Sequence, residues 1–471
     1  MNKLLLLGAI IFSLNFYAQG VEWGEKQTAK NGMLNPDCFI AADGENYFVL
    51  SGIIGKSEVM TFDFNHKLIK SEPIVYNSTL KLKNKKLINT SNGIYMLMYA
   101  KIKEEKRKAL FVSKFENGSF NKDIIELDKF NSQVGNFNMF ENEGDEFDRT
   151  NSGFKISQNK EFVFLFKKSK KGFVNAVYNA DFTLSSYTVI PYKELHPKGL
   201  NDYTEIQVDN NGDVVYTFRG RYGSGLTDDY WFTILSKDKA IQKIKIALNG
   251  QIIKDLSIAN NKNNDLIAVG IFGEESKQYG TFTQNITQNK PAVIATFSAQ
   301  TKEQMSTTPW RNSSFKIAYS FSMKEYIYVA IEQLYITKST KTGKDGAPVT
   351  YETKHFNDIF IFKYDQDGKV VDTKNIKKDY YGEGSAVRVI KDNQDLFFIY
   401  NKHSPAKLRG VSSATYISIY NDLENVLEEK KALEEGPALK SKNMYYLNNH
   451  QFLLKKEEGL KSYYFYYLNL Q

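Results

Sequence analysis

The fold follows from Val208-Asp209-Asn210-Asn211-Gly212-Asp213-Val214-Val215-Tyr216-Thr217-Phe218, a polar turn followed by a strand-like run. Asn, Asp and Gly tolerate the left-handed backbone of tight turns, whereas Val, Tyr, Thr and Phe favour strands. Similar turns precede similar runs along the whole chain, at Asp43-Gly44-Glu45, Ser91-Asn92-Gly93, Gln158-Asn159-Lys160, Asn210-Asn211-Gly212, Lys262-Asn263-Asn264, Met323-Lys324-Glu325, Asp392-Asn393-Gln394 and Asn448-Asn449-His450. Such recurrence predicts one supersecondary unit used repeatedly.

Each repeat has the pattern of four short antiparallel strands, labelled A to D from the first to the last. In the first repeat these strands are predicted at residues 37–41, 46–51, 58–64 and 67–73. Radial repetition of four-stranded sheets is a β-propeller, so the sequence predicts an all-β protein with one propeller domain over residues 19–471. Eight turns indicate eight blades. Seven blades are the alternative, if the fourth and fifth repeats share strands.

The two ends of the chain complement each other. The last repeat has strands near residues 444–447, 451–454 and 463–468 and stops after strand C. Residues 21–28 form a strand-like segment that belongs to no repeat. Pairing this segment beside the C-terminal strand would complete the eighth blade and remove the open edge of the ring. We therefore expect a clasp between the N- and C-terminal strands.

Helical periodicity is almost absent from the sequence, which argues against an α-solenoid. The best helical candidate, residues 423–433, stands alone. The chain resembles β-propellers over nearly its whole length, but it has no Gly-His and Trp-Asp pair of WD40 repeats, no paired glycines of kelch repeats and no sialidase-type Asp box. The resemblance therefore implies a fold and transfers no functional residue.

The N-terminus reads as a secretory signal peptide over residues 1–18. Lys3 is followed by an apolar run from Leu4 to Phe12 and by a small residue, Ala18, before Gln19. The apolar run is too short to span a bilayer, so we expect cleavage and a periplasmic or secreted protein without a membrane span. The Ala-Gln exit resembles signal peptides of Bacteroidota. The one cysteine, Cys38, cannot form an internal disulfide, so stability must come from the core.

Composition supports this fold and narrows the choice of partner. Tyr and Phe number 30 and 33, Pro only 9, and the formal net charge is +8, which is modest for this length. Lysine clusters fall between apolar runs, where they solvate loops and protect strand edges, so nucleic acid is not the expected partner. We expect a monomer without a cofactor that binds an envelope protein, a peptide or a glycan.

The connections divide between two faces. Antiparallel strands place the A–B and C–D turns on one face, called here the short-turn face, and the B–C and D–A connections on the opposite, long-loop face. The long connections are predicted at residues 130–153, 191–201, 219–229, 273–290, 300–312, 337–355, 377–385 and 402–413. Recognition and catalysis often use variable loops on a rigid scaffold, so we expect the long-loop face to be functional.

The sharpest candidate site is the connection of residues 219–229. Arg219 and Arg221 could hold a carboxylate or sulfate through paired hydrogen bonds, and the three glycines of this connection would let a ligand approach the backbone. Further ligand-binding candidates on this face are Tyr222, Asp228, Asp229, Glu383, His403 and Arg409. The alternative is a glycine loop with internal Arg–Asp pairing. Neither a P-loop nor a nucleophile elbow fits this segment.

Other polar groups give weaker signals. His66 and His450 lie in short turns and are expected to be solvated, while His196, His355 and His403 fall on the long-loop face without metal-ligand spacing. The acidic stretch 141–148 could bind calcium through its oxygens, although it lacks the alternation of a calcium loop.

Two further functional hypotheses remain beside a non-enzymatic binding module. A polysaccharide hydrolase or lyase at the mouth of the channel would need paired carboxylates, or a His or Tyr base near an arginine. An outer-membrane β-barrel would need strands longer than those predicted.

Overall fold

The computed structural model is an all-β ring of eight sheets. The structure describes residues 26–28, 38–52, 57–75, 79–127, 152–195, 205–222, 225–238, 240–246, 248, 251–273, 280–296, 313–342, 347–378, 380–381, 387–392, 395–403, 413–436, 444–448, 450–458 and 462–470.

The first four blades follow one another along the chain, each with its strands paired antiparallel in the order A, B, C, D. Blade one contains β2 (Phe39–Ala42), β3 (Asn46–Ser51), β4 (Glu58–Asp63) and β5 (Leu68–Pro73). Blade two contains β6 (Leu80–Thr90), β7 (Gly93–Ile102), β8 (Lys108–Glu116), β9 (Ser119–Phe120) and β10 (Ile125–Glu126). Blade three contains β11 (Ser152–Ile156), β12 (Phe162–Lys168), β13 (Phe173–Asn179) and β14 (Leu184–Ile190). Blade four contains β15 (Glu205–Val208), β16 (Val214–Tyr222), β17 (Gly225–Leu235) and β18 (Ile241–Ile246).

The other four blades continue the same order, and the chain's first strand completes the last one. Blade five contains β19 (Ile253–Asn260), β20 (Leu266–Phe272), β21 (Gly280–Asn285) and β22 (Val293–Thr296). Blade six contains β23 (Ser313–Met323), β24 (Tyr326–Thr342), β25 (Pro348–Tyr364), β26 (Val370–Ile376) and β27 (Tyr380–Tyr381). Blade seven contains β28 (Arg388–Asp392), β29 (Asp395–His403), β30 (Ser413–Asn421) and β31 (Val426–Gly436). Blade eight contains β32 (Met444–Tyr446), β33 (Gln451–Glu458), β34 (Ser462–Asn469) and β1 (Gln27–Thr28).

Strand β12 shows why this sequence forms blades. Successive side chains of a strand point to opposite faces of the sheet. Val163 and Leu165 accordingly pack in a cluster with blade two, whereas Phe164 and Phe166 pack in a cluster with blade four. All four side chains are buried, because each blade lies between two neighbours. The core is therefore a set of apolar layers between blades.

The polar turns are held by their own side chains. In blade four, Asp209 accepts hydrogen bonds from the backbone N–H groups of Asn211 at 2.9 Å and Asp213 at 2.7 Å. Gly212 takes a φ of 82° at the left-handed position of this turn. The turn residues that marked the repeat in the sequence thus close the A–B hairpin of the blade.

The predicted clasp is present in the described part of the N-terminus. Gln27 lies opposite Tyr463 and Thr28 opposite Ser462, so β1 pairs antiparallel with β34 as the fourth strand of blade eight. Blades four and five each have four strands of their own, which rules out the seven-bladed alternative.

Two smaller predictions are wrong. Residues 423–433 do not form a helix: Val426–Gly436 is strand β31 on the outer edge of blade seven, where one side faces solvent and polar residues are tolerated. His66 is not solvated: it is buried, and its Nδ1 lies 3.0 Å from the Tyr47 hydroxyl. Burial lowers the pKa of His66, and the Asp63 carboxylate opposes this shift.

Helix is rare in the structure. The described residues contain the short helix α1 (Tyr192–Leu195), which precedes the connection to blade four. No helix in the described part of the chain is long and apolar enough to cross a membrane.

A buried ion pair fixes the connection between blades six and seven. The Lys378 ammonium donates a hydrogen bond to Glu332, and both side chains are almost completely buried. Asp358 accepts hydrogen bonds from the Lys378 backbone N–H at 3.0 Å and from the Lys377 ammonium at 3.0 Å. Burial raises the pKa of Glu332 and lowers that of Lys378, so the charge of each depends on the other.

We predict that Lys378→Met lowers the free energy of unfolding by about 3–5 kcal/mol, because it leaves the Glu332 carboxylate buried and uncompensated. The double variant Glu332→Gln/Lys378→Met should recover at least half of this loss, since it buries no charge. Urea denaturation of the three proteins measures both effects. A single variant as stable as the wild type would show that the pair is not a structural constraint.

Candidate functional site

Side chains on the short-turn face join blades across the centre of the ring. The Gln158 amide of blade three donates a hydrogen bond to the Ser320 carbonyl of blade six at 3.1 Å. Its oxygen accepts a 3.4 Å hydrogen bond from the Asn260 N–H of blade five. One side chain thus bridges three blades at the end of the central channel.

Neighbouring turns on this face also bind one another. The Asn159 N–H donates to the Asn210 side-chain oxygen at 2.9 Å, and the Asn210 amide donates to the Asn264 side-chain oxygen at 3.2 Å. Farther round the ring, the Lys262 ammonium lies 3.0 Å from the Glu325 carboxylate. These polar groups of blades three to six are therefore engaged in holding the ring together.

Several predicted loops on the long-loop face are extended hairpins, which corrects the sequence-based assignment of residues 219–229 and 337–355. In blade four, β16 and β17 remain paired as far as Tyr222 and Gly225. In blade six, β24 and β25 remain paired as far as Thr342 and Pro348. In residues 337–355, five Thr and one Val favour strand, although the Gly and Lys content of this segment suggests a loop.

The long hairpin of blade six, called here the blade-six arm, comprises residues 336–342 and 348–354. Strand β23 accompanies β24 only as far as Tyr335, and β27 pairs with β25 at His355 and Phe356. Beyond these points the two strands of the arm pair only with each other within the described chain. Neither outer edge of the arm is therefore paired with a further strand among the described residues.

Arg219 is the candidate residue whose side-chain contacts are described. Its guanidinium lies 5.4 Å from the ring centre of Tyr230, and Nη2 donates a long hydrogen bond of 3.5 Å to the Ile253 carbonyl. These contacts link blade four to the inner strand of blade five. They give Arg219 a structural role at the long-loop end of this interface.

The remaining candidates are placed only by their backbone or lie outside the described part of the chain. Arg221 and Tyr222 lie on β16, Asp228 and Asp229 lie on the adjacent β17, and His403 ends β29. The side chains of these residues are not described, and Glu383, Arg409 and His196 fall outside the described residues. The acidic stretch 141–148 also lies outside them, and calcium binding by this stretch remains a prediction.

A cluster of charged residues on the inner strands escaped the sequence analysis. Inner strands of neighbouring blades contact each other, as β11 contacts β15, so these strands surround the channel. Lys155 on β11, Glu205 on β15 and Asp255 on β19 interact electrostatically. Their signal in the sequence is a charged residue in strand A of three consecutive repeats.

The environment of this cluster changes its acidity. Burial raises the pKa of Glu205 to about 7; the Lys155 ammonium opposes this shift and the Asp255 carboxylate adds to it. Asp255 accepts hydrogen bonds from the backbone N–H groups of Ile317 at 2.7 Å and Leu256 at 2.9 Å. Such hydrogen bonds stabilise an ionised carboxylate. The channel wall therefore carries one carboxyl group whose pKa is raised by burial and one carboxyl group that accepts two backbone hydrogen bonds.

In the described ranges, no group of three His, Cys, Asp or Glu side chains is arranged to hold a metal ion. The thiol of Cys38 is buried, 3.5 Å from the Tyr445 hydroxyl.

Comparison with known proteins gives likenesses of structure only. No protein-family model and no curated protein matches the chain. The WD40 domain of SCAP from fission yeast is 9% identical, with 94% of this chain and 97% of that chain covered and a TM-score of 0.39. The polysaccharide lyase Uly1 is 12% identical, with coverages of 86% and 94% and a TM-score of 0.35. The propeller domain of the Trilobed protease from Pyrococcus furiosus is 9% identical, with coverages of 86% and 96% and a TM-score of 0.37. Similarities this low say nothing about function.

We predict that Glu205 makes stability depend on pH. Its pKa is about 7 in the folded protein and 4.5 without the fold, so its stabilising contribution is complete below pH 4.5 and is lost as the pH rises to 7. Glu205→Gln should remove this dependence, and the unfolding midpoint of the variant should rise relative to the wild type between pH 4.5 and 7.5. Thermal unfolding across this range, with the exposed Glu161→Gln as control, measures it. Parallel curves for wild type and Glu205→Gln would contradict the assignment.

Proposed function

We propose that this protein is an exported, non-enzymatic binding module whose long-loop face contacts a peptide, a glycan or an envelope protein. The observation that carries the proposal is the contrast between the two faces of the ring. The turns of blades three to six on the short-turn face bind one another, whereas the opposite face carries extended hairpins. Export rests on the signal peptide expected at residues 1–18.

The short-turn face offers little freedom for recognition in blades three to six. Gln158, Asn159, Asn210 and Asn264 are already hydrogen-bonded across blades. A ligand at these groups would have to replace bonds that hold the ring, at a cost of about 0.5–1.5 kcal/mol for each hydrogen bond lost. This cost favours recognition on the other face.

The blade-six arm suits recognition of an extended chain. Backbone N–H and C=O groups at an unused strand edge can pair with an added strand, and main-chain hydrogen bonds then provide affinity. The arm contains Lys338, Lys341 and Lys354 against Glu352 in sequence, so its charge favours an anionic partner. The rigid blades below would hold such an arm in a defined position.

We predict that substitutions in the blade-six arm, on the long-loop face, weaken ligand binding, whereas a substitution on the short-turn face leaves it unchanged. Lys338→Glu/Lys341→Glu should weaken capture of a glycan or envelope protein by reversing the charge of the arm. The matched control is Lys67→Ala, in an exposed turn on the opposite face. The measurement is a glycan array together with cross-linked capture from envelope extract, each repeated with both variants and with Arg219→Ala/Arg221→Ala. Equal loss in the arm variant and in Lys67→Ala would contradict the proposal.

A second candidate function has one observation in its favour. Burial raises the pKa of Glu205 to about 7, and Asp255 in the same cluster accepts hydrogen bonds from two backbone N–H groups. Two carboxyl groups with separated acidities are the arrangement of a general acid and a stabilising carboxylate in glycoside hydrolysis. A polysaccharide-active enzyme with its site in the channel is therefore the alternative proposal.

Release of new reducing ends from neutral and anionic polysaccharides tests this alternative. If the protein is a hydrolase, Glu205→Gln should reduce the rate by about a hundredfold or more, because removal of a general acid has effects of that size. Glu161→Gln should leave the rate unchanged. Absence of release by the wild-type protein, or full activity of Glu205→Gln, would reject the channel site.

A further inference from the structure

A cavity of about 240 Å³ opens on the short-turn face between blades seven and eight. It lies outside the hydrogen-bonded turns of blades three to six. Its walls come from the ends of β29, β30 and β31 in blade seven, and from the His450 turn and Leu470 in blade eight. Since a water molecule occupies about 30 Å³ in the liquid, this volume equals about eight waters. The cavity can therefore admit an amino-acid side chain.

The inner wall of the cavity is a fixed carboxylate. Asp395 is buried, with only 7% of its surface exposed. One of its oxygens lies 2.7 Å from His450 Nε2, and the other accepts a 2.8 Å hydrogen bond from the Asn421 amide. These two partners hold the carboxylate at the cavity in one orientation.

Apolar side chains form the floor and rim. Ile419 and Leu470 are buried at the cavity, with exposures of 6% and 5%. Val426 also lines it, yet 49% of its surface is exposed, and Leu423 in the same turn is 66% exposed. The cavity thus offers an apolar wall as well as a polar one.

The charges of the cavity do not balance. Glu424 and Glu428 add two carboxylates to that of Asp395, whereas Lys430 supplies one ammonium and His450 one imidazole, so the carboxylates outnumber the basic groups. The Lys430 ammonium is already engaged, since it donates to the Leu470 carbonyl and lies 3.8 Å from Glu428. The remaining negative charge excludes an anionic ligand and favours a cation.

We infer that this cavity binds an alkylammonium group, such as a lysine side chain or a diamine. An aliphatic stem would cover Val426 and Ile419, while the ammonium would meet the carboxylates of Glu424 and Glu428 beside Asp395. A bare metal ion would use the carboxylates but leave the apolar rim exposed. The combination of volume, apolar floor and unbalanced charge therefore selects an amine with a hydrocarbon chain. This site is independent of the proposed function of the long-loop face.

Calorimetric titration with two amines tests the inference on the full mature protein. The probes are Nα-acetyl-lysine amide, which represents a lysine in a peptide, and 1,5-diaminopentane, a free diamine. Saturable binding of the first identifies a peptide lysine, and binding of the second alone identifies a small diamine. The matched control ligand is Nα,Nε-diacetyl-lysine amide, which keeps the stem and loses the charge; it should not bind.

Two variants locate the binding. Glu424→Gln/Glu428→Gln should weaken amine binding by about fivefold, because each exposed ion pair is worth up to about that factor. Glu45→Gln/Glu104→Gln, which removes two exposed carboxylates elsewhere, should leave it unchanged. Circular dichroism confirms that both variants are folded. No saturable binding of either amine to the wild type, equal binding of the diacetylated ligand, or equal binding by both variants would each overturn the inference.

Discussion

Closure of the ring is the constraint on which the rest of the structure depends. A blade is apolar on both of its faces, so every blade needs a neighbour on each side. Blades one and eight come from opposite ends of the chain, and they meet through Tyr47, Phe62 and Phe465, whose ring centres lie 5.2–5.5 Å apart. Cys38 lies buried in the same apolar layer. Without this contact two sheets would each expose an apolar face, and the pairing of β1 with β34 secures it.

Closure of the ring also gives the short-turn face and the long-loop face different structural roles. The Gln158 side chain donates to the Ser320 carbonyl and accepts from the Asn260 N–H, which connects three blades at one end of the channel, and the turns around it are hydrogen-bonded to each other. At the other end the hairpins of blades four and six extend beyond their sheets, so they can vary without disturbing the ring. Buried charges such as Glu332 and Lys378 lie where a connection leaves one blade and enters the next. This difference between the two faces is the basis of the proposal that the long-loop face binds a partner.

Much of the fold could be predicted because its signals are local. Asn210-Asn211-Gly212 closes a hairpin through its own side chains, and the alternation of β12 buries both of its faces, so turn and strand are both visible in the sequence. Residues 423–433 resemble an amphipathic helix in sequence because the outer strand that they enter has one solvated side, which accommodates their Glu and Lys residues. The prediction of a loop at residues 337–355 was wrong because the Gly and Lys residues of this segment suggest a loop, whereas the structure has the paired strands of the blade-six arm.

The sites were harder to predict because they depend on contacts between blades. Glu205 interacts with Lys155 and Asp255 only after three inner strands are brought together around the channel. His450 and Asp395 are 55 residues apart in the chain and form one wall of a cavity. No pattern of neighbouring residues in the sequence marks the Glu205 cluster or the pair of His450 and Asp395. Arg219, by contrast, stood out in the sequence, and its described contacts are structural.

The most direct test of ring closure is a disulfide between the two ends of the chain. Gln27 and Tyr463 lie opposite each other, so the variant Gln27→Cys/Tyr463→Cys in a Cys38→Ala background should oxidise to one intramolecular bond. Peptide mapping should find the two ends linked, and the bond should raise the free energy of unfolding by about 2–4 kcal/mol. A folded protein in which both thiols stay free, or in which the bond lowers stability, would contradict closure by this clasp.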